Sequence, residues 1–294
     1  MSNKFSTFIC QNCGSETSQY FGRCLNCNKW NTIVEERKNT RSKITSVNKN
    51  KKSKLFNEIE IGNISRFTSG FKEFDRVLGG GIVPGSIVLL GGEPGIGKST
   101  IVLQSAGKIS LNEKVLYITA EESLEQVKIR WERLNQSSLD LKIYAETNLS
   151  SIIEEIKKIK PGFAIIDSIQ AINNDEMESS PGSVSQVRNC SSELQNLAKE
   201  NNIALLIIGH VTKDGALAGP KTLEHLVDVV LNFEGDNIAS HRLLRSVKNR
   251  FGATFEIGIF EMLENGLREV INPSSIFTNK ENISGVTTTI TNGG

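Results

Sequence analysis

GGEPGIGKST, residues 91–100, restricts what this chain can fold into more than any other stretch. From Gly92 to Ser99 it satisfies G-x-x-x-x-G-K-[ST], and it follows the apolar run SIVLL (86–90) without a break. That pattern works as strand, loop and helix in succession. Glycines let the backbone wrap a polyphosphate, and successive N–H groups plus the new helix's N-terminus supply positive potential. Gly92, Glu93, Pro94, Gly95, Ile96 and Gly97 therefore read as the wall of an ATP-type cradle. Lys98 would reach the β- and γ-phosphates, the Ser99 hydroxyl would ligate Mg2+, and Thr100 would lie near the α-phosphate.

The surrounding texture fits that loop. Apolar runs of strand length, KVLYITA (114–120), LKIYA (141–145), FAIIDS (163–168) and IALLIIGHV (203–211), alternate with helical stretches at 99–110, 123–134, 150–160 and 185–201. Strands that are apolar throughout and separated by helices predict an α/β fold with a parallel sheet covered on both faces. After residue 225 the helices give way to strand-like DVVLNFEG, HRLLRSVKN and TFEIGIFEM, expected to extend the sheet as hairpins.

Hydrolysis needs further groups at the strand ends. Asp167 closes FAIID, where a carboxylate can hold Mg2+ through water. Glu121, at the end of KVLYITAEES, could orient or deprotonate the attacking water. An acid there also suits the dipole of the next helix, and the adjacent Glu122 leaves the choice open. His210 ends LLIIGH beside the expected triphosphate and is placed to sense its γ-phosphate.

The N-terminus carries different chemistry. Four of the five cysteines, Cys10, Cys13, Cys24 and Cys27, form two C-x2-C pairs, each a tight turn that offers two thiolates to one tetrahedral Zn2+. So short a segment cannot build its own core, so the metal would supply its folding energy. Tyr20 and Trp30 are expected to pack against the knuckles, and Cys190 reads as a small helix residue without chemistry. This cysteine usage suits a reducing cytosol, hence a cytoplasmic protein, and no apolar run approaches the ~20 residues of a membrane span. The expected organisation is a zinc ribbon over 1–31, a basic flexible linker over 32–60, the ATPase domain over 61–275, and a tail over 276–294. Between Arg37 and Lys54 the linker has eight Lys or Arg and no acid, which suits either a solubilising tether or a nucleic-acid backbone contact.

One run resists a bland reading. SVKNRFGATFEIGIFEM (246–262) opens a strand-forming sequence with Lys248 and Arg250. A solvated sheet edge explains such cations, and so does a phosphate contact, because positions i and i+2 of a strand share a face.

Taken together, the cysteine pairs, LGGGIVPGSIVLLGGEPGIGKST (78–100), YITAEES (117–123), HVTKDGALAGPKTLEHLVD (210–228) and KNRFG (248–252) resemble the bacterial RadA (Sms) family, RecA-like DNA-repair ATPases related to ring helicases of the DnaB type. The resemblance covers nearly the whole chain and implies a RecA-like P-loop domain behind a zinc ribbon. It assigns Gly92–Thr100 to ATP, Asp167 to Mg2+ and Glu121 to the catalytic water. It places Lys248 and Arg250 at a subunit interface of a hexameric ring, where they stabilise transition-state charge in trans, and lets Phe251 and Gly252 set the following turn. It further implies single-stranded or branched DNA and RecA as partners, with branch migration as the activity. Loops 172–188 and 213–221 would line the channel, with Lys213, Lys221 and Arg188 as backbone contacts and Asp175, Glu176 and Glu178 opposing them. Family members continue into a Lon-protease-like domain that contributes to the ring and to DNA binding, and GVTTTITNGG reads as its approach. An ATP-gated binding module with little turnover, built around the ribbon, is the alternative.

Overall fold

A computed structural model describes residues 6–10, 13–37, 55, 57, 65–138, 140–177, 179–210, 220–235 and 240–271. Calls on the basic run 38–54, on Lys213 and Glu178, and on the 276–294 tail lie outside these residues.

The small N-terminal sheet has the order β2-β1-β3, from β1 (Ser6–Cys10), β2 (Glu16–Thr17) and β3 (Ile33–Arg37). β1 pairs antiparallel with both neighbours. β3 occupies the first residues of the stretch expected to be linker, because Cys10 sits opposite Ile33 and pairing runs on to Ser6 and Arg37.

The large sheet has nine strands in the order β12-β11-β10-β9-β4-β8-β7-β5-β6. Its parallel part comprises β4 (Ile87–Gly92), β5 (Val115–Thr119), β6 (Leu141–Ala145), β7 (Phe163–Asp167), β8 (Ala204–Ile208) and β9 (Val229–Glu234). Antiparallel β10 (His241–Asn249), β11 (Ile257–Leu263) and β12 (Gly266–Glu269) extend it beyond β9, as the hairpin reading expects.

Every residue of β4, β5, β7 and β8 is buried, since both faces are covered. On one side α1 (Lys72–Val77), α2 (Lys98–Ile109) and α3 (Leu124–Arg133) bring Phe74, Val102, Ala106 and Val127 against Leu90, Tyr117 and Ile165. On the other, α4 (Leu149–Ile159), α5 (Val184–Asn201) and α6 (Pro220–Leu226) bring Ile152, Leu194 and Leu223 against Leu89, Ile118 and Ile166. Each fully buried aliphatic side chain contributes about 1.5–3 kcal/mol, which makes this double-sided sheet the rigid frame of the site.

Helix starts follow local chemistry. Ser123 and Gln126 form a capping box on α3, and Asn148 and Ser183 cap α4 and α5. The chain leaves β4 by α2 and runs outward to β5 and β6. It then returns on the other face through β7 and β8 and crosses to β9, so β4 lies at the switch point where α/β sheets bind ligands.

Candidate functional site

The loop after β4 is shaped by glycines in backbone conformations that L side chains rarely adopt. Gly92 has φ +155°, and a Cβ there would stand 2.5 Å from the Phe233 carbonyl oxygen of β9. Gly95 has φ +79°, but a Cβ added to it would meet nothing within 4 Å. The loop therefore presses on β9 at Gly92 and faces open space at Gly95. Lys98, the first residue of α2, is buried and donates from Nζ to the Gly92 and Glu93 carbonyls, both at 2.8 Å. Burial lowers its ammonium to about 8, against the opposing pull of Asp167, Glu121 and Glu93.

Four adjacent strands end around this loop. Asp167, from β7, accepts hydrogen bonds from the Tyr117 hydroxyl of β5 and from Ser99. Its burial raises its carboxyl, the Tyr117 and Ser99 donors oppose that, and the nearby Glu121 charge adds to it. Ser99 and Asp167 are thus already in contact and form an oxygen donor pair suited to Mg2+. Just beyond β5, Glu121 accepts from the Ser168 hydroxyl and lies 3.1 Å from His210 Nε2 at the end of β8. The His210 hydrogen bond is the main reason its carboxyl titrates below the usual range, and burial works the other way.

Glu121 and Glu122 have different partners. Glu122 forms an ion pair with Arg130 on α3, whereas Glu121 joins His210 and Ser168 beside Lys98. Sequence reading missed Tyr117, Ser168 and Arg130 as supports, since each acts through a contact between separate elements. A tyrosine inside an otherwise aliphatic strand was the available signal for Tyr117, because a buried hydroxyl needs a partner.

Lys248 and Arg250 lie elsewhere. Asn249 pairs with Val229 at the start of β9, and Val229 pairs with Val88 at the start of β4. The phosphate loop follows Gly92, four residues or about 13 Å along the strand, so the two cations sit at the opposite end of the sheet from it. A bulge between Ser246 and Lys248 shifts the register. Lys248 Nζ donates to the Glu224 and Val227 carbonyls at 2.5 and 2.8 Å, at the C-terminal end of α6. Burial, and then the Arg250 charge, lower its ammonium. Arg250 Nη1 lies 2.9 Å from the buried carboxylate of Asp228, whose other oxygen accepts the Ile87 amide at 3.1 Å. The residues that follow are fixed by backbone approach: a Cβ on Gly252 would stand 3.0 Å from the Gly79 Cα, and Arg66 donates to the Phe251 carbonyl.

Two expectations about the loops need correction. Arg188 belongs to α5, and its guanidinium donates to Glu16 and to the Gly14 carbonyl of the N-terminal sheet instead of standing free in a loop. The expected loop 172–188 also ends early, since α5 begins at Val184, and the buried Gln186 side chain ties the Asn174 amide, the Asn174 carbonyl and the Ser179 carbonyl together. Asp175 bonds Asn148 and Asn173. The side chain of Lys221 lies outside the described residues.

In the N-terminal unit the Sγ atoms of Cys10 and Cys27 are 3.7 Å apart, those of Cys13 and Cys24 3.6 Å, and all four lie within 4.8 Å of one another. Tetrahedral sulfurs about 2.3 Å from one Zn2+ would be about 3.8 Å apart, so the set fits that ion. Gly14 (φ 70°) and Asn28 (φ 59°) follow the two pairs in the left-handed region and close the knuckles through their amides on the Cys10 and Cys24 carbonyls. Burial and the neighbouring thiols push Cys13 up to about 12, so a metal that binds here has to displace protons. Tyr20 and Trp30 do not cover the knuckles. They are 58% and 68% exposed, with Tyr20 edge-on to Phe8 and Arg23 over the Trp30 ring. Cys190 is buried in α5, as expected, with burial pushing its thiol up to about 12.

A four-cysteine ribbon ahead of a mostly parallel sheet with its phosphate loop at the switch point defines a zinc-ribbon protein with a RecA-like P-loop ATPase fold. Residues 8–35 match the rubredoxin metal-binding domain family, and 67–154 match the KaiC ATPase family. The DNA repair protein RadA of Streptococcus pyogenes serotype M6 is 51% identical over 98% of this chain and 64% of its own length; that of Synechocystis is 46% identical over 99% and 64%. Over the part it spans, the chain is similar to the RadA proteins. It covers 64% of the length of these relatives. Among solved structures, a DnaB-like replicative helicase matches 70% of this chain and 62% of its own at 16% identity and TM-score 0.60. The RadB recombinase matches 69% and 99% at 22% identity and TM-score 0.54. At these identities the likeness is one of fold. Among the described residues no helix is long and apolar enough to cross a membrane.

Replacing Cys24 with serine is expected to reduce bound zinc from one per chain to none and to open the first 37 residues to limited proteolysis, while the ATPase unit melts within a few degrees of the parent. Stoichiometric zinc retained by Cys24→Ser would show that the four sulfurs are not the ligand set.

Proposed function

We propose that this chain is the ATP-hydrolysing part of a DNA-repair motor whose working sites are completed between copies. The observation that carries this is the separation of two half-sites on one sheet. Lys98, Ser99, Asp167, Glu121 and His210 gather at one end, and Lys248 and Arg250 stand at the other. A pair that cannot reach the chain's own phosphate loop is suited to a phosphate bound by a neighbouring copy, and the homo-hexameric ring supplies such a neighbour.

On this reading the residues divide the work as follows. The loop Gly92–Thr100 wraps the polyphosphate of ATP, and Lys98 leaves two backbone carbonyls for the β- and γ-phosphates. Ser99, and Asp167 through water, would hold Mg2+, which would supply neutralisation of phosphate charge. Glu121, kept ionised and aimed by His210 and Ser168, takes the proton of the attacking water. His210 bridges this carboxylate and the strand end where a γ-phosphate would lie. Lys248 and Arg250 leave α6 and Asp228 and stabilise the charge developing on the neighbour's phosphate.

The relatives' name, DNA repair protein, and the eight basic residues without an acid between Arg37 and Lys54 favour single-stranded or branched DNA as the track. RecA-assisted branch migration is the process that fits a motor of this family. A nucleotide-gated binding module is the second reading. It is favoured by one fact: Lys98, Lys248 and Arg250 all have partners within the chain.

The first test is ATP turnover with and without single-stranded DNA across a salt series. A DNA-coupled motor is stimulated by DNA, and the stimulation fades as salt rises; slow turnover indifferent to DNA leaves only the binding module. Mixing tests the shared site. Lys98→Ala and Lys248→Ala should each be nearly inactive alone, and an equimolar mixture should recover activity well above their sum, because each interface with a Lys98 loop on one side and Lys248 on the other is complete. Action within one chain predicts no recovery. His210→Ala tests the base. His210 holds Glu121 below the usual carboxyl range, so its loss lets that carboxyl rise and protonate sooner as pH falls. The acid limb of kcat should therefore move to higher pH. An acid limb that vanishes or moves down would assign it to His210 itself.

A further inference from the structure

Strand β10 carries an arginine where its pattern calls for an apolar residue. Arg242, Leu244 and Ser246 alternate on the buried face of the strand, and Arg242 is only 7% exposed. A guanidinium is costly to bury unless its donors are used. Here Nε donates at 3.1 Å to the Ile96 carbonyl, inside the phosphate loop, and Nη1 donates at 2.9 Å to the His241 carbonyl.

The loop explains why an arginine is needed. Ile96 is 1% exposed and its carbonyl belongs to no sheet ladder, so a buried acceptor would otherwise be stranded. Two cations therefore hold three carbonyls of the same turn: Lys98 holds those of Gly92 and Glu93, and Arg242 holds that of Ile96. The two are not equivalent. A lysine that serves the phosphates must release its carbonyls, whereas Arg242 comes from the neighbouring strands and stays in place.

We propose that Arg242 is a positioning residue for the phosphate loop, holding the Ile96 carbonyl so that the loop keeps its cradle while Lys98 moves to the nucleotide. This rests on the nucleotide-binding reading of the loop. Gly235 completes the arrangement: a Cβ there would stand 2.7 Å from Arg242 Cδ and 2.9 Å from the His241 carbonyl oxygen, so the side chain passes only because residue 235 has none.

The test is equilibrium binding of a fluorescent ATP analogue with Mg2+, and of ADP by competition, to the full chain and to Arg242→Lys, Arg242→Gln and Gly235→Ala. Each protein's melting temperature is recorded without nucleotide. Arg242→Lys keeps a charge but loses the rigid fork, and is expected to weaken both nucleotides about tenfold, the scale of one charged hydrogen bond. Arg242→Gln should weaken them more. KM should rise by a larger factor than kcat falls, a split that general loosening of the fold does not produce. Gly235→Ala leaves the guanidinium in the chain but displaces it, and should also lose affinity; it serves where the arginine variants do not fold. Parental affinity in a folded Arg242→Lys or Gly235→Ala overturns the proposal. Failure of the parent chain to bind either nucleotide overturns the nucleotide reading and this inference with it.

Discussion

The site depends on the contact between the backbone of Gly92 and the carbonyl of Phe233. With no room there for even a Cβ, β4 and β9 end flush, and the chain leaves β4 over the antiparallel strands. Those strands become the floor of the loop. A Cβ on Gly97 would lie 2.6 Å from Met262 Cε and 3.4 Å from Leu267 Cδ1, so β11 and β12 support the turn from which α2 starts. The hairpins that resemble a peripheral extension in sequence are in fact what fixes the phosphate-binding conformation.

What could be read from sequence was what depends on local spacing. The phosphate loop, the strand-end Asp167 and the paired cysteines each declare themselves within a few residues. The parallel sheet is visible because its strands are apolar on both faces. Choices that depend on distant partners were not readable. Glu121 and Glu122 are adjacent and chemically equal until Arg130 engages one and His210 the other. Lys248 gives no sequence sign that it meets the last carbonyls of α6. Arg188 reads as a basic loop residue, yet it lies on a helix facing Glu16. Arg242 was legible in principle, as a charge breaking the inward pattern of a strand, and such violations of local rules tend to mark function.

The N-terminal unit shows how little apolar material can suffice. Its buried cluster is Cys10, Cys24 and Ile33, with Phe8, Cys13 and Cys27 partly buried against it, so burial of this little apolar surface contributes less than a bound metal would. Leu25 and Trp30 remain exposed. The sulfur cluster thus takes the place of a hydrophobic core, and larger side chains are left on the surface.

The positions of the two half-sites bear on how hydrolysis becomes motion in the proposed ring. β10 runs the full depth of the sheet, with Arg242 under the phosphate loop at one end and Lys248 and Asn249 at the other. Close-packed interiors transmit displacement instead of absorbing it. On the proposed reading, any displacement of the loop would therefore reach, through Arg242, the strand that carries Lys248. With that connection inside one rigid sheet, the proposed ring would respond to nucleotide by turning the whole domain against its neighbour, as in other rigid-body switches. Each nucleotide would then be sensed across an interface, and the order of firing around the ring would be set by which copy turns first.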